Sequence, residues 1–257
     1  MTSMRVLTAL VVVLMSIPAV ADIDDGLVAH WPLDGNATDI SANGNDGALV
    51  GGVTFVPDRF GVSDSACSFD GISGYVNIGS GVKPMFPLSV SLWVEVPFTL
   101  GQYALFRNDI ADNNSYRYGV TLTGYGAGAL RAMYFEGFSA SWNRVGYIST
   151  ADSLLVPGDW HHWVTVFAGH MDIQMYWDGQ PVPGEYSGTG SGMTYSTADG
   201  ALGHWDLSPP DGLFFGGCLD DVRVYDRTLS AADVAQLYAG SSPVESVSWT
   251  RLKALYR

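Results

Sequence analysis

The chain has 257 residues, of which 47% are hydrophobic and 12% aromatic, and carries 26 acidic against 12 basic side chains for a formal net charge of -14. Length and aromatic content exclude a disordered chain and allow a full core. The ten Arg and two Lys are scattered singly, without the basic stripe needed to neutralise phosphates, so binding to nucleic acid or to an anionic membrane surface is excluded.

Residues 1–21 have the layout of a signal peptide: Arg5, an apolar run from Val6 to Met15, Pro18, and Ala19-Val-Ala21 as a small-residue cleavage site. That run is too short to cross a bilayer, which takes about 20 residues. An exported, extracytoplasmic protein is expected. After it, short apolar runs recur between turn residues. Candidate strands are Leu27–Trp31, Ala66–Phe69, Tyr75–Ile78, Leu88–Val96, Tyr103–Phe106, Arg117–Leu122, Ala129–Phe135, Val145–Ser149, His161–Phe167, Asp172–Trp177, Gly200–Gly203 and Gly217–Tyr225. Asp178-Gly179 marks a hairpin. A dozen short strands predict a β-sandwich or barrel. One helix is expected over residues 229–240, with Ser230 as N-cap, Asp233 completing a capping box and Gly240 as the stop. Residues 241–257 read as a linker and a short basic amphipathic tail.

The acids comprise 22 Asp and only 4 Glu, which suits turns more than helices. They also raise two alternatives, a solvated surface or oxygen-rich loops for Ca²⁺. Asp34, Asn36, Asp39, Asn43 and Asn45 crowd one loop. Strict alternation puts Asp220 on the core-facing side with Val222 and Val224, where a carboxylate needs neutralising. Asp34, Asp39, Asn43 and Asp220 are therefore the candidate metal ligands; the alternative is that Asp220 caps backbone N–H groups. Cys67 and Cys218 could form a disulfide in an exported chain, or serve as two small buried hydrophobes.

Catalysis finds little support. The four Glu stand alone, Asp220 and Asp221 are adjacent and so diverge on a strand, and no nucleophile elbow is present. His161 and His162 also diverge, with His162 expected at the surface and His161 packed.

Several segments together resemble bacterial laminin-G-like jelly-roll domains of the concanavalin A-like lectin/glucanase superfamily. They are Leu27–Gly35, Asp39–Gly47, Phe69–Ile78, Leu88–Val94, Trp160–Val166 and Gly217–Ser230, in that order over residues 26–240, with Ala42 where the family more often has Gly. The resemblance implies an all-β fold: a two-sheet antiparallel jelly-roll sandwich with one short C-terminal helix, over residues 22–240. Lectins, adhesion modules and glycosidases share this fold, so it does not fix function. The expectation is a secreted, non-catalytic binding module for carbohydrate or surface glycoconjugates with structural calcium. A structural envelope or matrix component is the alternative, and a polysaccharide hydrolase the third. Trp142, Tyr147 and Trp205 are the candidate sugar-binding aromatics; Trp31, Trp93 and Trp163 are assigned to packing.

Overall fold

The computed structural model describes residues 22–97, 103–110, 116–125, 128–139, 144–151, 153–205 and 214–240. The signal-like segment, the tail and Trp142 lie outside them. In chain order the elements are β1 Leu27–Trp31, β2 Ala48–Val50, β3 Val53–Val56, β4 Ala66–Asp70, β5 Tyr75–Gly79, β6 Leu88–Glu95, β7 Tyr103–Arg107 and β8 Tyr116–Tyr125. There follow β9 Ala129–Ser139, β10 Arg144–Ser149, β11 Trp160–Gly169, β12 Asp172–Trp177, β13 Gln180–Val182, β14 Gly184–Gly188, β15 Gly200–Leu202, β16 Gly216–Tyr225 and α1 Ala231–Gly240.

The strands form two eight-stranded antiparallel sheets, the expected sandwich. Sheet A has the order β13-β12-β11-β6-β16-β4-β3, with β1 also paired to β16; sheet B has the order β14-β10-β9-β8-β7-β15-β5-β2. Period-2 alternation builds the core between them. Leu88, Val90, Leu92 and Val94 of β6 point inward and meet Leu130, Ala132 and Tyr134 of β9, around Trp31, Trp163 and Phe167. Trp31 also donates its indole N–H to the Asn45 carbonyl at 2.8 Å, pinning the first loop to the core.

β16 departs from simple alternation. A bulge lies between Asp220 and Arg223, and Asp221 takes φ 51°, a left-handed conformation that Asp tolerates better than most residues. The extra residue resets the faces. Leu219, Val222 and Val224 all join the core, while Asp220 turns to the outside of sheet A, opposite Trp93. The expected core-facing Asp220 is thus corrected. The bulge also marks a change of neighbour: residues 216–219 pair with β4 and residues 222–225 with β1.

Asp220 is buried and Asp221 partly buried on this outer face, and their counterions come from the chain. Arg59 ion-pairs with Asp220 and lies 3.8 Å from Asp221. Its guanidinium stacks 4.4 Å from the Trp93 ring and 4.6 Å from Phe60. Asp221 also meets His30 Nε2 at 2.6 Å and Arg223 at 3.0 Å. Burial opposes the charge on Asp221, but His30, Arg223 and Arg59 hold its carboxyl at about 2. Burial pushes Asp220 up to about 8, against the pull of Arg59.

Helix α1 closes the same face. Its capping box is reciprocal: the Asp233 N–H donates to Ser230 Oγ at 3.2 Å, and the Ser230 N–H donates to Asp233 Oδ2 at 2.8 Å. Val234 and Leu237 pack on Val164, Val166, Tyr176 and Tyr225 as a second, smaller core. Tyr238 stacks 5.7 Å from Trp93 and 6.0 Å from His162. The helix explains why His162, expected at the surface, is 1% exposed, and burial lowers its pKa to about 4.

Cys67 opposes Leu219 and faces the core, whereas Cys218 opposes Ser68 and Glu95 and faces outward. Both are free thiols. Adjacent register positions on neighbouring strands put them on opposite faces of one sheet, so the expected disulfide is not formed. Burial raises the thiols to about 12 and about 11, which keeps both protonated.

Replacing Arg59 with Met should destabilise the fold by about 3–5 kcal/mol, because the buried acids lose their cation. Adding Asp220→Asn should recover part of that loss in urea denaturation; no recovery would contradict the pairing. His162 supplies a pH test. Its folded pKa of about 4 lies below an unfolded value of roughly 6.5, so its contribution is complete above the unfolded value and is lost as pH falls through the folded one, on the order of 3 kcal/mol in all. The raised Asp220 acts in the opposite sense, becoming more favourable as pH falls through about 8. His162→Asn should therefore be compared with the parent at each pH, and its urea midpoint should fall less steeply on acidification.

Candidate functional site

The loop proposed for calcium is closed upon itself. Asp39 Oδ1 accepts N–H groups from His30 and Ser41 at 2.9 Å each, and Oδ2 accepts the Asn45 N–H at 2.9 Å. Asn43 turns its amide nitrogen to the Leu27 carbonyl at 2.8 Å, and Asn45 does likewise to Val28 at 2.9 Å. Burial raises the Asp34 pKa, with the Ser65 hydroxyl opposing it. Asp220 already faces Arg59. Amide hydrogens and a guanidinium therefore occupy the positions an ion would take, and no group of three His, Cys, Asp or Glu among the described residues could hold a metal. Asp34, Asp39, Asn43 and Asp220 do not fit the expected calcium.

The aromatic candidates also separate. Trp142 falls outside the described residues. Tyr147 opposes Ala132 and Tyr186 and packs against the main core, so it backs the sheet. Trp205 lies on the outer face of sheet B, but it is 8% exposed. It packs with Ala104, Met133 and Phe135, sits 5.4 Å from the Arg107 guanidinium, and accepts a hydrogen bond from it at its carbonyl. It covers the sheet and presents no open platform.

An open site lies at the rim of sheet B, where the edge strand β14 meets β10. A cleft of about 390 Å³ is lined by Ile148, Ser149, Thr150, Glu185, Tyr186 and Ser187, within the size range of small-molecule sites, roughly 300–1,000 Å³. The register explains the lining. Glu185 stands opposite Ile148, and Ile148 opposite Arg131; Ser187 stands opposite Gly146, and Gly146 opposite Met133. Glu185 and Ser187 thus share the outer face. Gly146 is closely covered there: a Cβ at that position would lie 2.8 Å from Ser187 Oγ and 3.5 Å from Met133 Cγ, with Arg131 Nε at 3.8 Å. Gly184 is required at the base of the cleft, where a Cβ would come within 2.6 Å of both the Ile148 carbonyl and the Tyr147 ring.

Several lining groups are engaged. Ser149 Oγ accepts the Leu130 N–H and donates to the Ala151 carbonyl, and Thr150 Oγ1 donates to Pro183. The Tyr186 hydroxyl accepts the Ile173 N–H at 2.9 Å, and its ring is 4.8 Å from that of Tyr147. Ser187 Oγ has no hydrogen-bond partner among the described residues. Tyr186 remains 39% exposed. None of Glu185, Tyr186 and Ser187 was a sequence candidate. The segment Gly184–Gly188 has no apolar alternation to reveal a strand; its flanking glycines are the only local signal.

A second cleft, of about 320 Å³, lies on the outside of sheet A over Ser68, Cys218, Glu95 and Asp70. Its Asp70 carboxylate accepts N–H groups from Ile72, Ser73 and Gly74. These bonds, that to Ser73 foremost, hold it at about 2, so it cannot act as a general acid near neutral pH. Asp220, which does hold a proton more readily, is sealed beneath Arg59.

The chain belongs to the concanavalin A-like lectin/glucanases superfamily, whose laminin G-type family model matches residues 70–235. Among solved structures it is similar to domain 4 of an extracellular GH43 arabinanase from Geobacillus stearothermophilus, determined with arabinotriose. The identity is 21% and the TM-score 0.62, covering 82% of this chain and 98% of that one. It is also similar to the binding domain of Paraclostridial Mosquitocidal Protein 1, with 16% identity and a TM-score of 0.65, covering 85% of this chain and 53% of that one. The binding domain of botulinum neurotoxin serotype C1 gives 15% identity and a TM-score of 0.62, covering 86% and 54%. The chain therefore spans about half the length of these toxin domains. No curated protein sequence matches it. Among the described residues no helix is long and apolar enough to cross a membrane.

Calcium and a chelator should leave the melting temperature unchanged. A specific ion at a hundredfold excess over its dissociation constant would stabilise by about 2.7 kcal/mol, so a calcium-dependent rise in thermal denaturation would contradict the closed-loop geometry.

Proposed function

We propose that the protein is an exported, non-catalytic carbohydrate-binding module and that the β10–β14 cleft is its binding site. The observation that carries this reading is the composition of the cleft. It combines an apolar surface at the half-buried Ile148 with the exposed Glu185 carboxylate beside it on the outer face of β14. A sugar ring has an apolar C–H face and a rim of hydroxyls that both donate and accept, so it needs this mixture on one wall. The arabinanase domain that shares the fold was determined with arabinotriose, which supports a glycan ligand. The signal-like residues 1–21 support export. The engaged Asp70 and sealed Asp220 support a non-catalytic role.

Immobilised-glycan binding by the purified protein is the test. A panel of plant and microbial polysaccharides should include at least one that retains it without releasing reducing ends. Glu185→Ala, at an exposed position of the edge strand, should weaken that binding at least tenfold, about 1.4 kcal/mol, with an unchanged circular dichroism spectrum. Unchanged binding would remove the cleft from consideration. Release of reducing sugar would replace the module reading with a hydrolase.

A further inference from the structure

Helix α1 is laid along β6. Just before the helix begins, the Leu229 N–H donates to Ser89 Oγ at 3.1 Å; near its other end, Tyr238 stacks 5.7 Å from Trp93. Leu88, Val90, Leu92 and Val94 face the core, so Ser89, Ser91, Trp93 and Glu95 form the outward row of the strand. The helix therefore follows β6 in its own direction, and its axis leads on to Glu95. The cleft of about 320 Å³ on the outside of sheet A begins there, roughly 7 Å beyond Trp93.

This cleft carries negative charge. Glu95 and Asp70 line it together with Ser68, Cys218 and Pro97, and no lysine or arginine does. Asp70 is exposed and Glu95 half-buried. The cations on the same side are matched by other acids: Arg59 lies on Trp93 and pairs with Asp220, Arg223 pairs with Asp221, and Arg227 pairs with Asp233. One wall is bare backbone at Gly217, where a Cβ would come 2.5 Å from the Glu95 carbonyl.

The residues that follow α1 have the opposite charge. Arg251, Lys253 and Arg257 are three of the chain's twelve basic residues, and no acid follows Glu245. Trp249, Leu252 and Leu255 lie among them. From Gly240 to Arg251 a coil spans roughly 18 Å, enough to cover the step from Trp93 to the cleft. A tethered segment also acts at an effective concentration on the order of millimolar, so modest complementarity suffices to seat it.

We propose that residues 241–257 fold back along the direction of α1 into the sheet A cleft, setting the basic side chains of Arg251–Arg257 against Glu95 and Asp70 and covering Pro97 with apolar ones. The occupant of this cleft is thus a segment of the same chain, and the contact is independent of the β10–β14 cleft on the other sheet.

Cys218 is a built-in reporter, because it is a half-buried free thiol in the cleft, whereas Cys67 faces the core. Alkylation by iodoacetamide under native conditions, located by peptide mass mapping, reads its exposure. In the exported full-length protein Cys218 should react at least about fivefold more slowly than in the R251E/K253E/R257E variant. The difference should vanish at about 1 M salt, where charges are screened within about 3 Å. In an E95K background the order should reverse, with the acidic segment giving the protection; both chains then share the same residue beside the thiol, so its intrinsic reactivity cancels. Cys67 should stay unlabelled throughout, which reports an intact fold. Equal Cys218 rates in the parent and the triple variant at low salt would overturn the proposal. Protection that grows with protein concentration would also overturn it, in favour of a segment donated by a second copy.

Discussion

Two carboxylates, the buried Asp220 and the partly buried Asp221, stand in the middle of β16, and the arrangement around them depends on their being matched by cations from elsewhere in the chain. Arg59 arrives from the loop between β3 and β4, His30 from β1 and Arg223 from β16 itself. The match is electrostatic and geometric together, because the bulge that presents the acids also hands β16 from β4 to β1. A buried charge without its partner costs several kcal/mol, so the register of β1, the path of the Arg59 loop and the strand order of sheet A are mutually enforced. Trp93 and Tyr238 extend the cluster towards α1, so the helix seals the polar centre as well as adding apolar contact.

The two outer faces consequently differ in character. That of sheet A is covered over the bulge by α1, the N-terminal loop and the Arg59 segment, and opens beside it over Ser68, Glu95 and Cys218. That of sheet B is packed over its middle by Trp205, Met133 and Phe135 and opens at the β10–β14 rim, where the Glu185 carboxylate is exposed. Availability, more than aromatic content, separates the candidate site from the rest of the surface.

Much of the fold was legible in the sequence because its signals are local. Alternation in Leu88–Glu95 and Trp160–Gly169, the Ser230/Asp233 capping box and the ordered family segments each correspond to an element found. What the sequence misplaced depends on longer-range facts. One bulge residue inverted the expected face of Asp220, and one covering helix turned His162 from a surface residue into a buried one. Asn43 and Asn45 looked like oxygen donors, yet an amide offers either end, and the choice is made by the Leu27 and Val28 carbonyls. Cys67 and Cys218 missed each other by a single register position. Glu185 was noticed as a solitary acid; its place in a cleft follows from the pairing of β14 with β10, which five residues between two glycines do not announce.

The tyrosines of sheet B have a mechanical meaning. β14 is an outermost strand, joined to its sheet by a single ladder to β10, and a ligand held at this edge would pull on it in the direction that peels strands one bond at a time. The Tyr186 hydroxyl, bonded to the Ile173 backbone of β12, and the Tyr134 hydroxyl, which accepts the Met171 N–H at 3.1 Å, tie this rim to the hairpin of the opposite sheet. Tension at the edge is thereby shared across the sandwich, so that detachment of β14 requires the sheets to part locally as well as the ladder to open.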